Sequence, residues 1–329
     1  MRQIEKRDCL RNEKNLFACL FFWQRLLTHK ISNERPVVET QINFQDIGAR
    51  LKAHRLGRNL SPEDLATRLN ISRAALYRAE KGEIAKIEML SAIANELQVS
   101  LPSLLGVGIE YVDNAVSFFE RMRQIEEDCD QIIGLFSPIS YLVTTDRYDA
   151  VLKDVLSESV PNSEHQDIAK ILNILEQRKE RFAKRRPLLA SIISDADIRK
   201  FLREGLEGNP ELPPEIRDQR RRMALAEVEH IVELLRAPDI GVQIGVAREP
   251  IPSTSFQIMR QAGRSILTIS PFRLGHNPNI RIGVGLITSA PEALELHEGI
   301  ADRLWNSSLK GHEAAAHVEA LIAREGLKS

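Results

Sequence analysis

At 329 residues and 37.2 kDa, the chain has the length of about two domains. Charged residues make up 28%, and 45 basic side chains against 46 acidic leave a formal net charge of -1. That balance excludes a disordered acidic chain and a uniformly basic coat for nucleic acid, so any nucleic-acid function must sit in a local patch. Three cysteines, Cys9, Cys19 and Cys129, are too few and too scattered for a disulfide scaffold or a zinc cage, and they fit a reducing cytoplasm.

In chain order, residues 1–40 read as an N-terminal extension. Its apolar run LFACLFFW (16–23) is far short of the roughly 20 residues of a spanning helix. Acidic residues interrupt the basic ones before it and no small-residue cleavage site follows, so a short docking helix, or an extension that does little, is expected rather than an export signal. Residues 44–106 read as five short helices. Residues 107–212 read as a helical, charged connector, closed by the break NPELPP (209–214). Residues 213–329 read as a small α/β module. In it a helix over 215–235 precedes alternating apolar positions in DIGVQIGVA (239–247), SFQIM (255–259), SILTIS (265–270) and NIRIGVGLIT (279–288). Ala262 and Gly263 mark a hairpin turn, and two helices, about 291–306 and 312–324, close the chain. The expected fold class is therefore α plus α/β.

The informative stretch is 47–106. Ser61 suits a helix N-cap, Pro62 the first helical position, and Asp64 the third residue of a capping pair. Leu65, Ala66 and Leu69 make an inward face, with Ala66 small enough for a close helix crossing. Asn70 suits a left-handed turn, Ser72 caps a second helix over 73–81, and Gly82 ends it. Leu76 and Ala79 face inward. Arg73, Ala74, Tyr77 and Arg78, one and four residues apart, share the opposite face. Two arginines, an alanine and a tyrosine have the chemistry to enter a major groove. Arginine donates twice to guanine O6 and N7, alanine meets a thymine methyl, and tyrosine bonds phosphate or stacks.

With the pattern Leu60-Ser61, Leu65-Ala66, Leu69-Asn70-Ile71-Ser72, Arg78, Glu80, Gly82 and the closing AIANELQVSLPSLLG, the stretch resembles the phage-repressor class of helix-turn-helix. This is the Cro and lambda-repressor-like, or XRE-like, class of bacterial transcriptional regulators. The resemblance implies a five-helix DNA-binding domain, with Arg73, Ala74, Tyr77 and Arg78 as base-reading positions and Ser72 at the head of their helix. It also implies that Arg55 pairs with Glu80 to lock the recognition helix. Pro62 stands where the family usually has Gln, so backbone anchoring is expected from Ser61, Lys81 and Lys86. Between Asp46 and Leu105 nine basic residues face seven acidic ones, a net of +2, so specificity must come from the groove and from dimerisation.

The remainder more loosely resembles regulators in which such a domain precedes a long C-terminal region, which implies a sensing or oligomerisation role. Its strand-helix ending also resembles phospholipase-D-like sensor domains, but the His and Lys two residues apart that such chemistry needs are missing. Pro278 follows His276, Gly299 follows His297 and Ala314 follows His312. His230 with Glu227 and Glu233, and His317 with Glu313, lack paired histidines, so neither a metal nor another cofactor is expected. The basic runs 178–186 and 217–222 read as solvated helix faces, and Phe272 and Trp305 as core anchors. A small-molecule effector pocket is expected at the loop bearing Arg273, His276 and Asn277.

The reading is a non-enzymatic cytoplasmic regulator, with a homodimer on double-stranded DNA, no membrane, and an effector or protein partner at its C-terminal domain. The alternative is an antitoxin-like interaction protein whose C-terminal domain binds a protein partner.

Overall fold

The computed structural model describes residues 43–84, 86–161, 165–209 and 211–326. The apolar run 16–23 and its expected docking helix lie outside the described residues. Five helices open the described residues: α1 (Phe44–Gly57), α2 (Pro62–Arg68), α3 (Arg73–Glu80), α4 (Ile87–Glu96) and α5 (Leu101–Leu105). They enclose a small core of their own, with Ile47 and Leu51 of α1, Leu65 of α2, Leu76 of α3, and Ile93 and Leu104 buried together.

Everything after them builds one eight-stranded sheet. In chain order the elements are β1 (Ile109–Val112), α6 (Ala115–Glu126), β2 (Cys129–Phe136), α7 (Asp146–Ser159), α8 (His165–Arg185), β3 (Leu188–Ser194) and α9 (Asp195–Glu204). Then come α10 (Pro214–Arg236), β4 (Val242–Ala247), β5 (Ser255–Gln261), β6 (Arg264–Ser270), β7 (Gly285–Thr288), α11 (Pro291–Ser307), β8 (Leu309–Lys310) and α12 (Gly311–Arg324). The strand order is β1-β7-β6-β5-β2-β3-β4-β8. β2, β3 and β4 run parallel, joined by the helical crossovers that parallel pairing requires, and the other pairs are antiparallel.

The expected helical connector over 107–212 is thus corrected. It carries β1, β2 and β3, and its helices pack on the same sheet as residues 213–329. The physical reason is burial. Central parallel strands are covered on both faces, so CDQIIGLF and LLASIIS show continuous apolar runs instead of alternation. The strand expected over 279–288 shortens to β7. Asn279 ties the first half into a loop: its amide donates to the Pro271 carbonyl at 3.1 Å and the Ile282 carbonyl at 2.7 Å. The hairpin turn is as read: Gln261 pairs with Arg264, and Gly263 between them takes a φ of +82°.

The two basic runs are for the most part the solvated faces expected of them, with Arg181, Lys184, Arg185, Arg186 and Arg222 exposed, but each has one buried arginine. Arg178 is buried and donates twice to Glu126, at 2.8 and 2.7 Å, pinning α8 to α6. Arg220 is buried on α10 and donates to Glu158 at 2.7 Å and the Val151 carbonyl at 3.1 Å. Phe272 and Trp305 are buried as expected. Cys129 is buried, and that burial pushes its thiol up to about 12, so it holds its proton as a packing group rather than a nucleophile.

Candidate nucleic-acid interface

The turn between α2 and α3 is built by local chemistry. Ser61 accepts from the Asp64 amide at 3.1 Å while the Asp64 carboxylate accepts from the Ser61 amide at 3.0 Å, a reciprocal capping box. The Ser61 hydroxyl also donates to Asp64 at 2.6 Å, so this proton is committed within the cap and not free for phosphate. These bonds from Ser61 hold the Asp64 carboxyl below its ordinary value. Asn70 takes a φ of +52°, and Ser72 caps α3 by accepting from the Ala75 amide at 3.1 Å.

α3 then presents two unlike sides. Leu76 and Ala79 are fully buried, whereas Arg73, Ala74, Tyr77 and Arg78 are exposed along one stripe. Arg55 fixes the far end of the helix. It donates to both oxygens of Glu80, at 2.5 and 3.3 Å, and to the Leu60 carbonyl at 2.8 Å. One guanidinium thereby joins α1, the loop before α2, and the end of α3. Lys81 and Lys86, flanking Gly82, are exposed.

α1 and α3 cross closely at Gly48, where an added Cβ would lie 2.5 Å from the Glu80 carbonyl oxygen and 2.7 Å from that of Ala79. Those neighbours are backbone and cannot swing aside. Gly48→Ala is therefore expected to cost about 1–3 kcal/mol by overpacking. The check is a lowered midpoint in thermal or urea unfolding.

The five-helix unit is seated on the sheet by α1. Glu110 of β1 is buried and accepts from Arg50 of α1 at 3.0 Å and from Arg121 of α6 at 2.7 and 3.1 Å. Burial alone would raise the Glu110 carboxyl, but Arg121 and Arg50 outweigh it and hold it below its ordinary value. Buried His54 faces the same carboxylate from 3.9 Å, and burial lowers its pKa. Around this cluster Ser117 donates to the Ala53 carbonyl at 3.0 Å, Arg58 pairs with Asp113 at 3.0 Å, and Arg264 of β6 pairs with Asp46. A cleft of about 200 Å³ lies at this junction, lined by Asp46, Arg50, Glu110, Arg121, Arg264 and Thr288 among others.

The expected effector residues do not converge. His276 turns to Glu204 at 2.8 Å and the Gly205 carbonyl at 3.2 Å, while Arg273 and Asn277 are exposed. Glu227 is buried and accepts from the amide and hydroxyl of Thr145 at the head of α7, and His230 contacts the Val143 carbonyl at 3.1 Å. Among the described residues no cluster of three or more His, Cys, Asp or Glu side chains is placed to hold a metal ion, and no helix is long and apolar enough to cross a membrane. Sequence reasoning missed Glu110, Arg50 and Arg121, and also Glu63, whose carboxylate lies 2.5 Å from the Arg73 guanidinium.

Residues 51–104 match the helix-turn-helix family HTH_3. This segment is a helix-turn-helix DNA-binding domain of the class that its capping and turn residues resemble. No curated protein matches the chain. Two solved structures show limited likeness. The apo form of the competence regulator ComR from Streptococcus vestibularis is 18% identical, with 59% of this chain and 51% of that one covered and a TM-score of 0.18. The apo form of ComR from S. thermophilus is 17% identical, with 58% and 73% covered and a TM-score of 0.19. The alignment spans about half the length of the S. vestibularis protein.

Proposed function

We propose that this chain, with its helix-turn-helix DNA-binding domain at residues 51–104, is a sequence-specific transcriptional regulator that works as a homodimer on a near-palindromic operator. The observation that carries this reading is the stripe on α3. Arg73, Ala74, Tyr77 and Arg78 are exposed together on a helix whose other side is locked by Leu76, Ala79 and the Arg55–Glu80 pair. Arg73 and Arg78 read base edges, Ala74 and Tyr77 supply apolar and hydroxyl contacts, and Ser72, Lys81 and Lys86 meet the phosphates. Two such heads sit about 34 Å apart, one turn of DNA.

The sheet region, residues 107–329, is the regulatory part of this reading. The head is fastened to it through a cluster of buried charges, so its orientation follows the sheet rather than a flexible tether. A small effector or a protein partner that moved α1 against β1, at the 200 Å³ cleft or elsewhere, would change the spacing of two heads without touching a base.

Selection from a random duplex library at physiological salt tests the reading. An enriched two-fold-symmetric site that Arg73→Ala/Arg78→Ala loses is the expected result. Absence of enrichment, with and without cell extract, would refute it. On the selected site, Arg78→Ala should cost about 1–3 kcal/mol of binding and relax preference at one base pair per half-site. A uniform loss across all sequences would instead assign Arg78 to phosphate.

A further inference from the structure

Resting on the reading that α3 enters the major groove, we propose that Glu63 is a specificity-determining residue of this interface. It holds the Arg73 guanidinium in the orientation that selects guanine.

Glu63 lies in the first turn of α2, and the α2–α3 turn brings it beside Arg73 in the first turn of α3. Its carboxylate is 2.5 Å from Arg73 Nη1, while Nη2 donates to the Tyr77 hydroxyl at 3.1 Å. The guanidinium carbon stands 5.2 Å from the centroid of the Tyr77 ring, so the fork is gripped from two sides and backed by an aromatic face. All three side chains are exposed on the surface that the reading head would turn to DNA.

Stability does not account for this arrangement. Exposed ion pairs contribute little to folding. The capping of α2 is done by Ser61 and Asp64; Glu63, the other acid of the first turn, suits the helix dipole there, but that small effect asks only for negative charge and not for contact with Arg73. An acidic side chain at a DNA-facing surface also works against phosphate binding, so a carboxylate placed there needs another purpose. Hydrogen-bond arithmetic supplies one. A guanidinium has five N–H groups; Glu63 and Tyr77 take two, and the remaining three exceed the two that guanine O6 and N7 accept. Arginine otherwise samples many rotamers, and an arginine free to swing satisfies itself on any nearby phosphate. A held arginine reads one base edge. The carboxylate of Glu63 only accepts hydrogen bonds. It is therefore compatible with the cytosine N4 or adenine N6 amine beside that guanine, and is repelled by thymine O4 or a second guanine O6.

The test is the same duplex selection run in parallel on wild type, Arg73→Ala, Glu63→Gln and Glu63→Ala, with competition titrations on single-base variants of the selected site. In the expected result, wild type selects a guanine that Arg73→Ala no longer prefers. Glu63→Ala then loses about tenfold of that preference over the other three bases. It leaves the other positions of the site unchanged, and it binds non-specific DNA at low salt as well as wild type or better. Glu63→Gln, which keeps an acceptor for Arg73, falls between the two. Glu63→Ala that retains the guanine preference within about twofold would overturn the proposal while leaving the DNA-reading function intact. Wild type that selects no site would overturn that function, and the proposal with it. Thermal melts of the two Glu63 variants should match wild type, because the pair is exposed, which separates a change in reading from a change in folding.

Discussion

Glu110→Ala is expected to lose about 3–5 kcal/mol of stability, because it removes the carboxylate on which two guanidiniums converge and leaves only Asp46, already paired with Arg264, to offset their charge. Arg121 is buried and gives two hydrogen bonds to Glu110, and Arg50 adds a third from α1. In water such a pair would contribute little. Here the charges have already been desolvated by folding, and removal of the anion leaves the desolvation cost uncompensated. Urea unfolding should show the loss, and hydrogen exchange should place it: α1 and α6 amides lose protection, while β2, β3 and β4 keep theirs. Loss spread evenly over the sheet would mean that Glu110 serves the whole fold and not the junction.

The same cluster sets a direction for pH. The Glu110 carboxyl is held low in the folded protein, so its contribution is fully present above the unfolded value of about 4.3 and is lost as pH falls through the lower folded one. His54 is also depressed, by burial, so its contribution is present above about 6.5 and is lost as pH falls through its folded value. Both groups therefore weaken the junction on acidification. Acid unfolding monitored on α1 should begin at a higher pH than unfolding of the central strands.

Legibility in the sequence tracked how local each interaction is. The caps at Ser61 and Ser72, the left-handed Asn70 and the turn glycine Gly263 each depend on residues a few positions apart, so composition and spacing revealed them. The inward face of α3 followed from helical period alone. The Arg55–Glu80 tie came through family resemblance, since no spacing rule joins residues 25 apart. β1, β2 and β3 were not legible. β1 is only four residues long, and its neighbour β7 is some 170 positions downstream; β2 and β3 are buried on both faces and show no alternation. Glu110 was not singled out, because its partners Arg50 and Arg121 meet it only when the sheet edge and two helices assemble. Glu63 was hidden differently. Its neighbour Asp64 satisfied the capping pattern, and nothing in the spacing says that the α2–α3 angle aims Glu63 at Arg73.

Arg55→Ala is expected to be as damaging to DNA reading as Glu110→Ala is to the junction. The substitution leaves Glu80 partly buried without its cation and removes the donor to the Leu60 carbonyl, in a five-helix domain with a small core. Breaking such a pair costs about 3–5 kcal/mol. A single core in a domain of this size rarely supplies more than about 3–5 kcal/mol in all. The head should therefore open locally, and the four exposed side chains of α3 that we propose read DNA lose their placement together. Specific binding should fall further than in Arg78→Ala, because one lost contact is replaced by a lost helix. Far-UV circular dichroism and exchange at α2 and α3 amides would register the opening, with the sheet amides unmoved. Arg55→Met combined with Glu80→Leu is the decisive partner experiment. Replacing a buried ion pair by apolar groups of similar volume is often neutral or stabilising, so the double variant should recover most of the lost stability and much of the specific binding. If it folds but does not select a site, the pair contributes to reading beyond holding α3 in place. If it stays unfolded, the Leu60 carbonyl bond, which neither new side chain can replace, is the larger part of what Arg55 does.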